Sequence, residues 1–274
     1  MLIPEVSAKN RVMIYVYGGS FVGGTRSSWR SFCASLAHAS SSETYVPDLH
    51  RSPEHPFPAA LEDVNEVLKI LLSVNKDVVL VGDSAAASLI VGSVFSLPTQ
   101  MRSKIKEVVL MGGSTIKGNA SPVAEANIIQ DPEAAYILFK SGLKIKMAGL
   151  DATWDGYIAF DELEEFGKAN WLSEKIYSMC GIYAEHYRER MKNPGLAMHD
   201  SLTLAWLIKP ELVKAEDYYV TVDINGRYTY GMTVTDVDNV MKYKPNATVA
   251  MGVDRVPFIN MIKEAIANLA AQKK

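Results

Sequence analysis

The sequence predicts an α/β protein with a doubly wound, mostly parallel sheet and helices on both faces, the Rossmann-like three-layer architecture. Three observations predict it. Short β-branched runs alternate with longer helical stretches along the first 150 residues. The runs are continuously apolar, as strands buried on both faces are. Glycine-bearing turns follow several of them, at the edge where a parallel sheet meets its ligands.

The elements follow in order. RVMIYVY (11–17) is the first strand, and its apolar run ends in the glycines of YGGSFVGG (17–24). A helix over 27–40 precedes a short strand, TYVP (44–47), and Asp48 lies at that strand's end. A helix over 58–74 leads to the strand DVVLVG (77–82), then Asp83-Ser84 and a helix over 84–96. EVVLMG (107–112) and IKMAGL (145–150) are strands, with a helix over 132–141 between them. In that helix Asp131 is the N-cap, Pro132 the first helical residue and Glu133 an acid in the first turn. Beyond 150 the pattern becomes mostly helical, with helices near 172–191, 200–208 and 256–272. A hairpin over 217–234 is expected around Asn225-Gly226.

Composition narrows the function classes. The 274 residues are 48% apolar and 22% charged, an ordinary globular balance. A net charge of −3 points away from nucleic acid and anionic membrane surfaces. Cys33 and Cys180 have no metal-type spacing and suit a reducing compartment. No apolar run approaches the roughly 20 residues of a membrane span. The apolar run in KNRVMIYVYGG is too short for a signal peptide. A cytoplasmic protein is expected, with a small-molecule substrate and the oligomeric state open.

Three stretches carry a first constellation: YGGSFVGG (17–24), RSPEHPFPAALED (51–63) and VGDSAAAS (81–88). Over roughly residues 10–97 they resemble the hormone-sensitive-lipase-like branch of the α/β-hydrolases. That resemblance implies a nucleophile elbow at Ser84 and an oxyanion loop at Gly18 and Gly19, next to Ser20. A strand-to-helix elbow lifts the serine oxygen above the sheet, and small neighbours permit the tight turn. The departures are specific. Tyr17 stands where that family has histidine, Ala86 replaces the last elbow glycine, and only His186 and His199 follow Ser84. Without a base and an orienting acid the serine is not activated. Asp83 or Ser84 then simply caps the next helix.

A second constellation covers KIKEVVLMGG (104–113), GNASPVAEANIIQDPEAA (118–135), SGLKIKMAGLDAT (141–153), MHDSLTLAWLIKPEL (198–212) and GMTVTD (231–236). In this order the stretches resemble the inosine–uridine nucleoside hydrolases. The resemblance implies that Asn119, Glu125 and Asn127 hold ribose hydroxyls and His199 protonates the leaving base. It also implies that Asp200 is a ligand of a Ca²⁺ ion that holds the attacking water. The residue types suit the chemistry. Glu125 and Asn127, two apart, share a side in an extended segment, histidine is a natural proton donor, and carboxylate oxygen is a hard ligand for Ca²⁺. Read without the family, Glu125 and Asn127 are ordinary loop polar groups, and His199-Asp200 starts the helix 200–208 with Asp200 as cap. The family's aspartate-rich loop after its first strand has no counterpart here. YGGSFVGG stands in its place and GDSAA (82–86) replaces the glycine turn after the third strand, so most expected Ca²⁺ ligands are absent.

Together the stretches imply a chimera, engineered or recombined in preference to a natural fusion, of an esterase-like segment 1–97 and a nucleoside-hydrolase-like segment 98–274. The two are expected to merge into one α/β domain, because neither part alone completes a parent core. The expected function is nucleoside N-glycosidic hydrolysis, weak or absent. Serine carboxylesterase activity at Ser84 and an inactive scaffold are the alternatives.

Overall fold

β1 (Arg11–Val16) is buried along Val12–Val16, as its unbroken apolar sequence requires. The computed structural model describes residues 2, 11–74, 77–98, 102, 105–191 and 193–271. The chain divides into two units, Met1–Ile105 and Lys106–Lys274. Residues 99–101, 103 and 104, just beyond the join expected between 97 and 98, and the last residue of the helix expected over 256–272 lie outside the described residues.

In the first unit β1 is flanked by β2 (Glu43–Tyr45) and β3 (Asp77–Gly82), both parallel to it. The helices are α1 (Arg30–Ser40), α2 (Ala59–Ser73) and α3 (Ala86–Ser96). Strand periodicity sorts the side chains of β1. Val12, Ile14 and Val16 face a core with Val64, Leu68 and Leu89 of α2 and α3. Tyr15 packs the other way, with Tyr17, Cys33 and Trp29. Apolar cover on both faces is what a parallel sheet needs.

In the second unit four strands run in the order β4 (Val108–Met111), β5 (Ile145–Ala148), β11 (Ala247–Val253) and β8 (Val213–Tyr218). β4, β5 and β11 are parallel and β8 is antiparallel, so the sheet is mixed. The register against β8 shifts between Ala250 and Gly252, a bulge that bends the strand. The helices are α4 (Ala126–Gln130), α5 (Pro132–Phe139), α6 (Leu150–Thr153), α7 (Phe160–Gly167), α8 (Trp171–His186), α9 (His199–Ile208) and α10 (Arg255–Ala271). A core that includes Ala148, Leu202, Trp206, Ala250 and Phe258 fills the space between sheet and helices.

Asp131 caps α5 as expected, accepting the Ala134 N–H at 3.0 Å. The expected hairpin is β9 (Val220–Val222) with β10 (Thr233–Thr235), antiparallel. Its loop is wider than a two-residue turn, because the Asp223 carboxylate gathers the Asn225 and Gly226 N–H groups and the Thr229 hydroxyl. Strands β6 (Tyr157–Ala159), β7 (Gly195–Ala197) and β11 fall where the sequence suggested no element, and β8 meets the expected hairpin only at its last two residues. β11, ATVAMGV, mixes alanine and glycine with its valines, which hides a central strand from a reading by β-branched runs. Among the described residues no helix is long and apolar enough to cross a membrane.

Candidate active site

The second unit gathers its polar residues where β4 and β5 end. β4 is followed by Gly112-Gly113 and β5 by Gly149. Gly113 has φ +78, and a Cβ there would lie 2.9 Å from Met147 Sδ and Thr233 Cγ2. The turn is fixed from three sides. Glu125 Oε2 accepts the Gly113 N–H at 3.0 Å, and the Leu150 N–H donates to Gly113 O at 2.9 Å. Buried Thr233 accepts the Ser114 N–H and returns its hydroxyl to Ser114 O.

Glu125 is buried and serves as the N-cap of α4. Its Oε1 accepts the Asn127 N–H at 2.9 Å, and its Oε2 also accepts the Ile128 N–H at 3.1 Å. Asn119 Oδ1 accepts the Ala126 N–H at 2.8 Å, and Asn127 Nδ2 donates to Met111 O at 3.3 Å. All three predicted ribose residues therefore meet at the start of α4. The segment is not extended as expected. Helix begins at Ala126, so Glu125 and Asn127 are brought together by capping and not by strand alternation.

His199 opens α9 and is held between two hydroxyls. Tyr187 Oη lies 2.9 Å from its Nε2 and Thr153 Oγ1 lies 2.8 Å from its Nδ1. The Trp154 ring meets it edge-on at 5.0 Å. Burial pushes the His199 pKa down to about 4, so the ring is neutral at pH 7 and carries no spare proton of its own. Burial first, then the charge of Asp200, raises the pKa of the Tyr187 phenol, which stays protonated. Asp200 is exposed in the first turn of α9 and does not cap it, since the N-cap is Met198 without a side-chain bond. Tyr187 and Thr153 were missed in the sequence. Tyr187 begins a π-helical turn, Tyr187–Met191, after α8 and belongs to no motif. Thr153 closes the GLDAT stretch, where nothing distinguishes it from a helix-end threonine.

Calcium needs six to eight oxygens. Among the described residues no group of three or more His, Cys, Asp or Glu side chains is placed to hold a metal. The described carboxylates alone therefore do not assemble such a site around Asp200.

In the first unit, Gly18 and Gly19 follow β1 and Ser84 stands between β3 and α3. Ser84 has φ +55, the left-handed region that a serine rarely adopts. A Cβ on Gly18 would lie 3.0 Å from both Asp83 O and Ser84 Cβ, so the glycine loop lies against the serine turn. Neither Asp83 nor Ser84 caps α3, whose N-cap, Ala85, makes no side-chain bond. Among the described residues the N–H groups of Gly19 and Ala85 and the hydroxyl of Ser84 have no hydrogen-bond partner. Asp48 pairs with Arg26 at 3.3 Å on the surface. Ser20 is exposed with φ +53.

Residues 60–260 match the family described as inosine-uridine preferring nucleoside hydrolase. The chain belongs to this family. The matched range begins upstream of the join expected near 97. A pyrimidine-specific ribonucleoside hydrolase RihA of Enterobacter sp. (strain 638) is 37% identical over 223 residues, 80% of this chain and 70% of that protein. The protein of the same name from Escherichia coli O7:K1 is 40% identical over 169 residues, 61% of this chain and only 54% of its own length. In fold the chain is similar to a purine-preferring ribonucleoside hydrolase from Gardnerella vaginalis, with a TM-score of 0.69 at 23% identity over 94% of this chain and 99% of that one.

Proposed function

We propose that the second unit binds ribonucleosides and cleaves their N-glycosidic bond slowly, with Tyr187 serving the leaving base. The observation that carries this reading is the Tyr187–His199–Thr153 chain beside Asp200, within the range matched to the family. As the bond breaks, positive charge builds on the ribose and negative charge on the base. A neutral His199 does not donate outright. In its Nε2–H tautomer it accepts from Thr153 at Nδ1 and donates to the Tyr187 oxygen. The phenol hydrogen is then free for the base, and Nε2–H steadies the negative charge left on that oxygen. Asn119 and Asn127 are exposed beside buried Glu125 and supply amide groups for ribose hydroxyls. Slow attack on the sugar is part of this proposal, because among the described residues no cluster of acid, histidine or cysteine side chains stands ready to hold a metal and its water. Ribose release from uridine and inosine tests this. Tyr187→Phe should slow release at least about tenfold with the melt preserved. Equal rates in the two proteins would refute the role.

A second reading concerns the first unit and does not depend on a joined origin, since the family match already begins at residue 60. Ser84 is a nucleophile toward short acyl esters. Its left-handed backbone and the free N–H groups of Gly19 and Ala85 favour it. A fluorophosphonate should label Ser84, and Ser84→Ala should take no label.

A further inference from the structure

Resting on that second reading, we infer that His50 is the general base for Ser84 and that Asp63 is its positioning residue. The segment carrying His50 is tied to the glycine loop on both sides. The Leu49 N–H donates to Tyr17 Oη at 3.2 Å, Arg51 Nη1 to Gly24 O at 2.7 Å, and the Ser52 N–H to Phe21 O at 3.0 Å. The same loop lies against Ser84 through Gly18. One small cavity of about 10 Å³ has His50, Gly18, Gly19, Ala85 and Ala86 in its wall. That volume holds about one water-sized group, enough for a carbonyl oxygen, and Ser84, exposed and next in sequence to Ala85 of the wall, stands outside it.

The histidine is oriented as a base must be. Asp63, in the second turn of α2, accepts the His50 backbone N–H at 2.7 Å and lies 2.8 Å from His50 Nδ1. That contact selects the Nδ1–H tautomer and leaves Nε2 as the acceptor, and among the described residues Nε2 has no partner. The ring packs edge-on against His55 at 4.6 Å. Asp63 by hydrogen bond and charge, and more weakly Asp48, raise the His50 pKa. Asp48 is itself paired with Arg26.

The step balances as follows. Ser84 Oγ forms a bond to the acyl carbon while its proton passes to His50 Nε2. The carbonyl π pair moves onto oxygen, toward the Gly19 and Ala85 N–H groups. Collapse expels the alcohol, which takes the proton from Nε2. Water then repeats the sequence on the acyl-serine and releases the acid.

The test uses the full chain, a fluorophosphonate and p-nitrophenyl acetate, with the labelled peptide located by mass. Wild type should label at Ser84. His50→Gln should slow labelling and p-nitrophenolate release about 100-fold or more, and imidazole in the buffer should restore part of the rate in His50→Ala. Asp63→Asn should slow labelling at least about tenfold and move the rising limb of its pH profile to lower pH, a shift that a merely structural residue would not cause. Ser84 labelled equally fast in wild type and His50→Gln would overturn the base assignment and leave the Ser84 reading standing. No label at Ser84 in wild type would overturn that reading and this inference with it. If His50→Gln loses its cooperative melt, the Asp63→Asn profile decides, and an unshifted limb overturns the inference.

Discussion

At the scale of the residue, what a carboxylate or an imidazole does is set by what it already holds. Glu125 is named by sequence as a ribose ligand, yet its two oxygens take three backbone N–H groups. Glu125→Ala should therefore cost about 3 kcal/mol, because it leaves N–H groups buried and unpaired, and a thermal melt would show it. Glu125→Gln should cost less, since its carbonyl oxygen still accepts. A Glu125→Ala protein that melts like wild type but no longer binds ribose would restore the ligand role. The motif positions were legible at once, since residue type and order carry them. The division of labour was not. Tyr187 and the His50–Asp63 contact depend on bonds across 12 and 13 residues that no local pattern encodes.

At the scale of the element, boundary chemistry explains what holds. Strands with β-branched runs, such as β1 and β3, are found where they were read, and Asp131-Pro132-Glu133 starts α5 as its cap chemistry requires. β11 was missed because its place is fixed by its neighbours β5 and β8 and not by its own propensity. The start of α10 is tied to α7 by Arg255, which donates to Glu162 Oε2 at 2.7 Å and to Tyr157 O at 3.0 Å. The Arg255 hydrogen bond holds the Glu162 carboxyl below its ordinary range. A carboxylate whose folded pKa lies below its unfolded value stabilises the fold above the unfolded value, and that contribution fades as pH falls through the folded one. Arg255→Ala should thus lose about 1 kcal/mol at pH 7, the pair being part-exposed. The loss should shrink in acid, below the ordinary glutamate range, and denaturant melts at both pH values would check it. Gly113→Ala should cost about 2 kcal/mol, because its φ of +78 strains any Cβ and its neighbours leave no room for one. An unchanged melting temperature would contradict that account of the turn.

At the scale of the whole molecule, the α/β class was legible because continuous apolar strands between helices admit few other architectures. Family membership was legible because five stretches keep their order over the second unit, and residues 60–260 carry it. Fold and chemistry separate here. The sheet edge, the capped turn and the His199 hydroxyl chain are present, while no cluster of three or more acid, histidine or cysteine side chains is placed to hold a metal among the described residues. The central claim is a nucleoside-hydrolase unit whose slow chemistry runs through Tyr187 without calcium. The most direct measurement is ribose release from uridine and inosine by the purified chain, in excess Ca²⁺ and in chelator, alongside a calorimetric Ca²⁺ titration. The account predicts slow release that chelator leaves unchanged, with no Ca²⁺ binding heat. Tight Ca²⁺ binding with release that chelator abolishes would contradict it.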